Sequence, residues 1–351
     1  MKNKDFLYFG AYTFKGGHGI HQCSFDRKRQ KLEFIESYDS DNPSYLAAHG
    51  GFLYAANELP DKGKISAWSI NSETGGLSYL NSVEAAGSGT CHVSVWPNGK
   101  WISGANYMSG DFFTFSLLPD GKLGELSQVI PGSGAGPDKT RQEGPHAHSM
   151  TPSKDGKIIV GADLGSDRLL IFQANPSEGK LEAHASQPWV SPCPGEGPRH
   201  FTFHPNGHCG YLLTEMGAMI HVYSIGEDGV FSLKQSISAL PEGWNAQTSN
   251  LAAAIKMSND GRRLYSTNRG ADCIAAFLAD PFEGTLANPV FHPSSGRDPR
   301  DFSISADGLY AVAANQGSGN AAVFSINPDD GALGEKLDEA RIPMVACALW
   351  T

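Results

Sequence analysis

The chain has 351 residues, of which 40% are hydrophobic and only 18% are charged, with 41 glycines and 21 prolines. This composition excludes an intrinsically disordered chain, and the many glycine-containing turns favour a sheet protein with short connections. The formal net charge of −10 argues against a nucleic-acid partner, whose binders usually carry a basic surface, and against binding to an anionic membrane. A small anionic substrate held by a few local arginines stays compatible with this charge.

The N-terminal segment, MKNKDFLYFGAYTFKGG, is apolar only over a short stretch that glycine and tyrosine interrupt. We therefore expect neither a signal peptide nor a transmembrane helix, which would need ~18 consecutive apolar residues. The six cysteines form no C-x-x-C pair, and we expect free thiols and a cytoplasmic location.

A repeat of roughly 45 to 55 residues then runs along the chain. In each unit a short apolar run leads to a polar turn, and a second apolar run ends in a polar residue. A third and a fourth strand-like piece follow. The second runs of the six complete units are LYAANE, WISGANY, IIVGADLG, YLLTEMG, LYSTNRG and YAVAANQG.

The two ends of the chain supply a seventh unit. FLYFGAYTF, GIHQCSF and LEFIESY are three strands without a first one, and PMVACALW at the C-terminus provides it. We predict an all-β, seven-bladed β-propeller of four-stranded blades, formed by one domain over residues 1–351, in which strands from both chain ends close the last blade. The alternative is a sandwich of unrelated hairpins.

Two segments share one sequence pattern and differ in their reactive residues. They are GPHAHSMTPSKDG from Gly144 and GPRHFTFHPNG from Gly197. The start of strand 1 lies beside the end of strand 2 in a blade, so both segments reach one face of the propeller, around the channel mouth. The candidate residues at this mouth are His146, His148, Arg199, His200, Glu215, Arg269, Arg300, Asn106, Asn315 and Gln316.

This set of groups suits acid–base chemistry on an anionic substrate. Guanidinium groups match phosphate or carboxylate with two parallel hydrogen bonds, and a histidine or glutamate beside them can move a proton. Alternatives remain open for several residues. His146 and His148 could share a strand face as a metal pair with Asp163 or Glu215, and His146 could be structural. Arg199 or Arg300 could clamp a neighbouring loop, and Arg269 could pair with Asp272.

Two long loops lead towards the same face, at residues 132–144 and 240–250. The first is interpreted either as a lid or as a plain surface loop, and the second as a further entry loop near that face.

Motifs from every blade resemble the propeller-type lactonase family. They are NPSYLA, ANY, GPHAHS, ADLGSD, GPRHFTFHPNG, SNDGRRLYSTNRGADCIAAF and PRDFSISADG with AANQGS. The resemblance implies a seven-bladed propeller with catalytic residues at His148, Arg199, Glu215 and Arg269. Cys91, Cys273 and Met216 depart from the small or aliphatic residues expected at their positions, and none of them removes a proposed group.

Members of that family hydrolyse phosphogluconolactone or close carboxymuconate to a lactone. We therefore expect hydrolysis of 6-phospho-D-glucono-1,5-lactone, a reaction of the pentose phosphate pathway, with Glu215 or His148 as the base. Arg199 and Arg269 would bind phosphate and the oxyanion, with the remaining mouth residues as substrate contacts. We expect no cofactor, no metal, and a monomer or weak homo-oligomer. The alternatives are a carboxymuconate-lactonizing lyase using the same residues and a non-catalytic interaction propeller, which would show a large apolar patch.

Overall fold

The computed structural model describes residues 4–14, 16–244 and 250–351, and these residues form strands joined by turns. Seven sheets are arranged as blades, six of them in chain order. Blade 1 contains β4 (Pro43–His49), β5 (Phe52–Asn57), β6 (Lys64–Ile70) and β7 (Leu77–Glu84). Blade 2 contains β8 (Thr90–Val95), β9 (Trp101–Asn106), β10 (Asp111–Leu117) and β11 (Leu123–Pro131). Blade 3 contains β12 (Ala147–Pro152), β13 (Ile158–Asp163), β14 (Arg168–Asn175), β15 (Lys180–Ala183) and β16 (Trp189–Val190).

The second half of the chain repeats the arrangement. Blade 4 contains β17 (Pro198–Phe203), β18 (Cys209–Thr214), β19 (Met219–Ile225) and β20 (Phe231–Ser238). Blade 5 contains β21 (Leu251–Met257), β22 (Arg263–Arg269), β23 (Cys273–Ala279) and β24 (Leu286–Pro293). Blade 6 contains β25 (Pro299–Ile304), β26 (Tyr310–Asn315), β27 (Asn320–Ile326) and β28 (Leu333–Arg341). Blade 7 joins β29 (Val345–Trp350) to β1 (Lys4–Ala11), β2 (Gly19–Asp26) and β3 (Lys31–Tyr38).

The predicted seven-bladed propeller is confirmed, including the last blade built from both ends of the chain. The innermost strand of each blade contacts the innermost strands of both neighbours, so the ring is closed. Blade 3 differs from the expected four strands because the short β16 also pairs with β14. The six cysteines are free thiols, as predicted. Across the described residues, no helix is long and apolar enough to cross a membrane.

The core consists of seven clusters, and each lies between two adjacent blades. The second strands of the blades are buried along almost their whole length, because a neighbouring blade covers each face. The outermost strands are largely exposed. The apolar runs seen in the sequence therefore mark the middle of each blade.

Tyrosine hydroxyls tie three pairs of adjacent blades together. In each case the second strand of one blade carries a buried tyrosine, and its hydroxyl donates to the backbone carbonyl of a glycine in the next blade. The glycine lies between the third and fourth strands at a φ of 68° to 69°. The pairs are Tyr8 with Gly75, Tyr211 with Gly284 and Tyr265 with Gly331.

Replacing Tyr211 by phenylalanine is expected to lower the free energy of unfolding by about 1–3 kcal/mol, because the Gly284 carbonyl loses its buried donor. Urea unfolding followed by tryptophan fluorescence measures the change. Tyr79→Phe is the matched control: this exposed hydroxyl donates to Ser82, and its loss should change stability by less than about 0.5 kcal/mol. Equal losses in both variants would contradict the inter-blade role.

A register shift recurs near the start of the innermost strand of every blade. In six blades it falls between the residue that pairs with the end of the second strand and the next paired residue, and in blade 5 it falls one pair further along. Such a bulge leaves a residue outside the ladder and re-aims its side chain. We call the skipped residues the bulge ring: Ser44, Cys91, His148, Arg199, Ala253 with Ala254, Arg300 and Ala346.

Candidate active site

Glu215 is the centre of the channel mouth. It follows β18 directly, its amide donates to the Gly197 carbonyl (2.7 Å), and its carbonyl accepts from Ala252 (2.9 Å). Its side chain is only 5% exposed. Backbone hydrogen bonds to Gly197 and to Ala252 of blade 5 therefore fix the position of this buried residue of blade 4.

Three arginines bind this carboxylate. Arg141 Nη2 donates to Oε1 at 2.5 Å, while Arg199 Nε and Arg269 Nη2 donate to Oε2 at 2.9 and 2.8 Å. Burial alone would raise the pKa of Glu215, but the charges of Arg269 and Arg199 outweigh it and hold the pKa well below its usual value of 4.5. Glu215 is therefore an ionised carboxylate with both oxygens occupied.

Blade 5 holds two of these arginines through its backbone. Its bulge skips two residues, Ala253 and Ala254. Arg269 donates to the carbonyls of Leu251 (3.1 Å) and Ala252 (3.2 Å), and Arg199 Nη1 donates to the carbonyl of Ala253. Alanine side chains are small enough to let guanidinium groups approach these carbonyls.

His148 lies at the bulge of blade 3, beside Glu215. Its Nε2 is 3.8 Å from Glu215 Oε2, and its buried Nδ1 has no hydrogen-bond partner among the described residues. Burial, together with the positive charge of Arg199, lowers the pKa of His148 well below 6.5. The imidazole is therefore neutral at pH 7, and one of its two nitrogens carries no hydrogen.

His200 belongs to the floor beneath this site. Its ring lies edge-on to the rings of His148 (5.3 Å) and His92 (5.5 Å), and Tyr45 stacks on His92 at 4.2 Å. Burial, with the charges of Lys256 and Arg199, lowers the pKa of His92 to about 3, and burial with Arg199 lowers the pKa of His200 well below 6.5. These neutral rings close the channel under the mouth.

Arg300 reaches the mouth from blade 6 through a short relay. Its Nη2 donates to the Tyr12 hydroxyl (2.8 Å), and that hydroxyl donates to Glu58 Oε2 (2.7 Å). The relay brings together blades 6, 7 and 1. Arg300 thus supplies a second cationic position, separate from Glu215.

The structure brings together His148, Arg199, His200, Glu215 and Arg269, which the sequence placed at one mouth. His146 and His148 do not share a strand face as the proposed metal pair requires. The strand β12 begins only after His146, and His148 occupies the bulge. The His146 ring stacks on Tyr107, and its nitrogens lie 2.9 Å from the Tyr107 carbonyl and 3.1 Å from Glu143 Oε1. Across the described residues, no group of three or more His, Cys, Asp and Glu residues is arranged to hold a metal ion.

The side-chain amides of two predicted substrate contacts donate hydrogen bonds to the scaffold. Asn106 and Asn315 end the second strands of blades 2 and 6 with fully buried side chains. Their Nδ2 atoms each donate at 3.0 Å to a backbone carbonyl that directly follows the outer strand of the preceding blade, from Ala85 and Ser294 respectively. This geometry favours a structural role for both. Gln316, one residue further, is half-buried.

Arg141 was missed by sequence reasoning. It lies in the 132–144 loop, which has no strand periodicity, and besides Glu215 its Nη2 donates to the Tyr107 hydroxyl (3.2 Å). Its side chain is 34% exposed, more than those of Arg199 and Arg269. The available signal was an arginine placed just before the histidine segment. Of the other loop, residues 245–249 lie outside the described residues.

Comparisons with known proteins agree with this architecture. A family model described as "Lactonase, 7-bladed beta-propeller" matches residues 6–350. A 6-phosphogluconolactonase of Bacillus subtilis is 30% identical over 344 residues, covering 97% of this chain and 96% of that protein. A putative 6-phosphogluconolactonase of Bacteroides uniformis superposes with a TM-score of 0.91 at 33% identity over the full length of both chains. The periplasmic gluconolactonase PpgL of Pseudomonas aeruginosa superposes with a TM-score of 0.92 at 27% identity over 99% of both chains.

Proposed function

Because this chain belongs to the lactonase family of seven-bladed β-propellers, we propose that it hydrolyses 6-phospho-D-glucono-1,5-lactone to 6-phosphogluconate at the channel mouth. The observation that carries the proposal is a neutral histidine, His148, held 3.8 Å from a carboxylate that three arginines bind. A cytoplasmic location and a monomeric or weakly associating state stay predictions.

His148 is the general base of this proposal, rather than Glu215. Both carboxylate oxygens of Glu215 accept hydrogen bonds from guanidinium groups, so this group is held as a carboxylate that binds cations. His148 is neutral, so one of its ring nitrogens can take a proton. When it takes a proton, the nearby carboxylate stabilises the imidazolium that forms.

The charge of the mouth supports a dianionic substrate. Four guanidinium groups face two carboxylates, Glu58 and Glu215, while the histidines of the floor are neutral. The cationic surplus matches a phosphate monoester, which carries a charge of about −1.5 to −2 at pH 7. We assign the phosphate to Arg141, the most exposed of the three arginines that bind Glu215, and to Arg300, which donates to Tyr12 rather than to Glu215.

The reacting carbonyl then belongs beside Arg199 and Arg269. Backbone carbonyls and Glu215 fix both guanidinium groups before substrate arrives, so they can stabilise an oxyanion without rearranging. Water attacks the lactone carbonyl while its proton passes to His148. The tetrahedral intermediate collapses, the ring C–O bond breaks, and the imidazolium returns the proton to the departing ring oxygen.

The direct test is hydrolysis of freshly generated 6-phospho-D-glucono-1,5-lactone by the purified protein, measured against the spontaneous rate. A rate well above background that an Arg199→Ala, Arg269→Ala double variant abolishes supports the proposal, provided that circular dichroism finds the variant folded. No rate above background would refute it. The loss of ultraviolet absorbance of a carboxymuconate is then the next activity to measure.

Replacing Arg141 by alanine is expected to raise KM for the phosphorylated lactone about tenfold or more, because a charge-assisted hydrogen bond contributes about 1.5–3 kcal/mol. KM for D-glucono-1,5-lactone, which lacks the phosphate, should change little. Steady-state kinetics on both substrates separates the two effects. Arg297→Ala is the control, since this exposed arginine precedes β25 and makes no contact with Glu215. Equal KM increases for the two lactones would contradict the phosphate assignment.

A further inference from the structure

Blade 4 carries a second cluster of reactive side chains on its outer strands. His221 on β19 lies directly opposite Ser236 on β20. Ser236 Oγ is 2.8 Å from His221 Nδ1, and His221 Nε2 is 2.5 Å from Glu196 Oε2. The imidazole is buried, whereas the serine is exposed to solvent. A serine, a histidine and a carboxylate are thus joined in one hydrogen-bonded series.

The backbone holds all three members in place. Opposed residues on antiparallel strands bring their side chains to the same face, which sets His221 against Ser236. Glu196 lies in the connection from blade 3, and its carbonyl accepts hydrogen bonds from the amides of Met216 (2.9 Å) and Gly217 (3.0 Å). The carboxylate is therefore anchored independently of the histidine that it contacts.

Blade 7 contains the same pair without the carboxylate. His21 on β2 lies opposite Ser37 on β3, with Ser37 Oγ 3.1 Å from His21 Nδ1. The Nε2 atom of His21 is buried and has no hydrogen-bond partner within the described part of the chain. A cross-strand histidine–serine pair thus occurs in blade 4 and in blade 7, and in blade 4 a carboxylate joins it.

The third group changes the chemistry of the pair. A carboxylate at Nε2 fixes the tautomer in which Nε2 carries the hydrogen, so Nδ1 accepts the serine proton. The same carboxylate stabilises the imidazolium that forms when the serine attacks an electrophile. In blade 7 no group stabilises that charge.

We propose that Glu196, His221 and Ser236 form a second nucleophilic site, which takes the acyl group of small activated esters. Ser236 Oγ attacks the ester carbonyl, and its proton passes to His221 Nδ1. The carbon–oxygen bond to the leaving alcohol breaks, and the alcohol departs with that proton. Water then attacks the acyl-serine and gives its proton to His221, the bond between the acyl carbon and Ser236 Oγ breaks, and His221 returns the proton to Ser236 Oγ as the carboxylic acid leaves. This site shares no side chain with the channel mouth and does not depend on the lactonase proposal.

The test uses a fluorophosphonate probe on the full-length protein, with the modified serine located by peptide mass spectrometry. Serine displaces fluoride at phosphorus, so the probe reports the same activation. We expect Ser236 to react about 100-fold faster or more than Ser37, the gain that a positioned base provides. Ser236→Ala should abolish labelling of that peptide and the corresponding turnover of p-nitrophenyl acetate, while lactone hydrolysis stays unchanged.

Glu196→Gln separates a catalytic role from a structural one. If the carboxylate activates the pair, labelling of Ser236 falls about tenfold or more in the folded variant. Glu196 and His221 could instead serve only to hold the blade connection. In that case Glu196→Gln lowers the stability against urea, and Ser236 of the unmodified protein reacts no faster than Ser37. Equal labelling of the two serines, or labelling of Ser236 that Glu196→Gln leaves unchanged, would overturn the proposal.

Discussion

Replacing His148 by glutamine is expected to lower kcat for 6-phosphogluconolactone hydrolysis by about 10²–10⁴-fold, the usual contribution of a positioned base. Glutamine fills a similar space but cannot accept the proton of the attacking water. The substrate-binding arginines stay in place, so KM should change much less than kcat. Initial rates over a range of substrate concentrations, corrected for spontaneous hydrolysis, measure both quantities.

The pH dependence provides an independent check on the same residue. The active form of a base is the deprotonated one, so activity is present above its pKa and is lost as the pH falls through it. Since burial and Arg199 hold the pKa of His148 well below 6.5, kcat/KM should stay flat from pH 8 down to pH 6.5 and fall only at lower pH. A half-maximal rate at pH 6.5 or above, or a His148→Gln variant with normal kcat, would exclude His148 as the base.

Replacing Glu215 by glutamine is expected to reduce both stability and activity. Arg141, Arg199 and Arg269 would lose the charge that they bind, and removing one partner of a buried ion cluster costs about 3–5 kcal/mol. The guanidinium groups would also lose their fixed positions around the substrate. Urea unfolding gives the free energy of unfolding, and kcat is measured under conditions where the variant is folded.

The control for Glu215 is a carboxylate at the same mouth that makes an exposed contact. Glu143 lies 3.1 Å from His146 with more than half of its side chain in solvent, so Glu143→Gln should alter stability by less than about 1 kcal/mol. The pKa of Glu215 is depressed, so its stabilising contribution is fully present above pH 4.5 and is lost as the pH falls through the lower folded-state pKa. Equal stability of the two variants at pH 7 would show that the arginines do not depend on Glu215.

The blades were predictable because each signal is local and repeats. Polar turns and short apolar runs return at a fixed period, and the number of runs gives the number of strands. The meeting of His148, Arg199, Glu215 and Arg269 followed from one topological rule, that the start of strand 1 lies beside the end of strand 2. The rule locates a residue at the mouth without giving the direction of its side chain.

That missing direction explains where sequence reasoning fell short. Asn106 and Asn315 stand at the mouth by position, yet both side chains turn inwards to backbone carbonyls. Arg141 comes from a loop without periodicity, so no rule placed it on Glu215. The pairing of His221 with Ser236 depends on strand register, which a bulge between Val222 and Tyr223 shifts along the same strand pair.

The bulge ring lets the propeller carry different side chains at the channel mouth without changing its strand pairing. A bulge residue is left out of the strand ladder, so exchanging its side chain removes no pairing between strands. Ser44 and Ala346 are ring positions with small side chains, beside others that carry arginine or histidine. A substitution at such a position therefore changes the lining of the mouth while the ladders of all seven blades stay as they are.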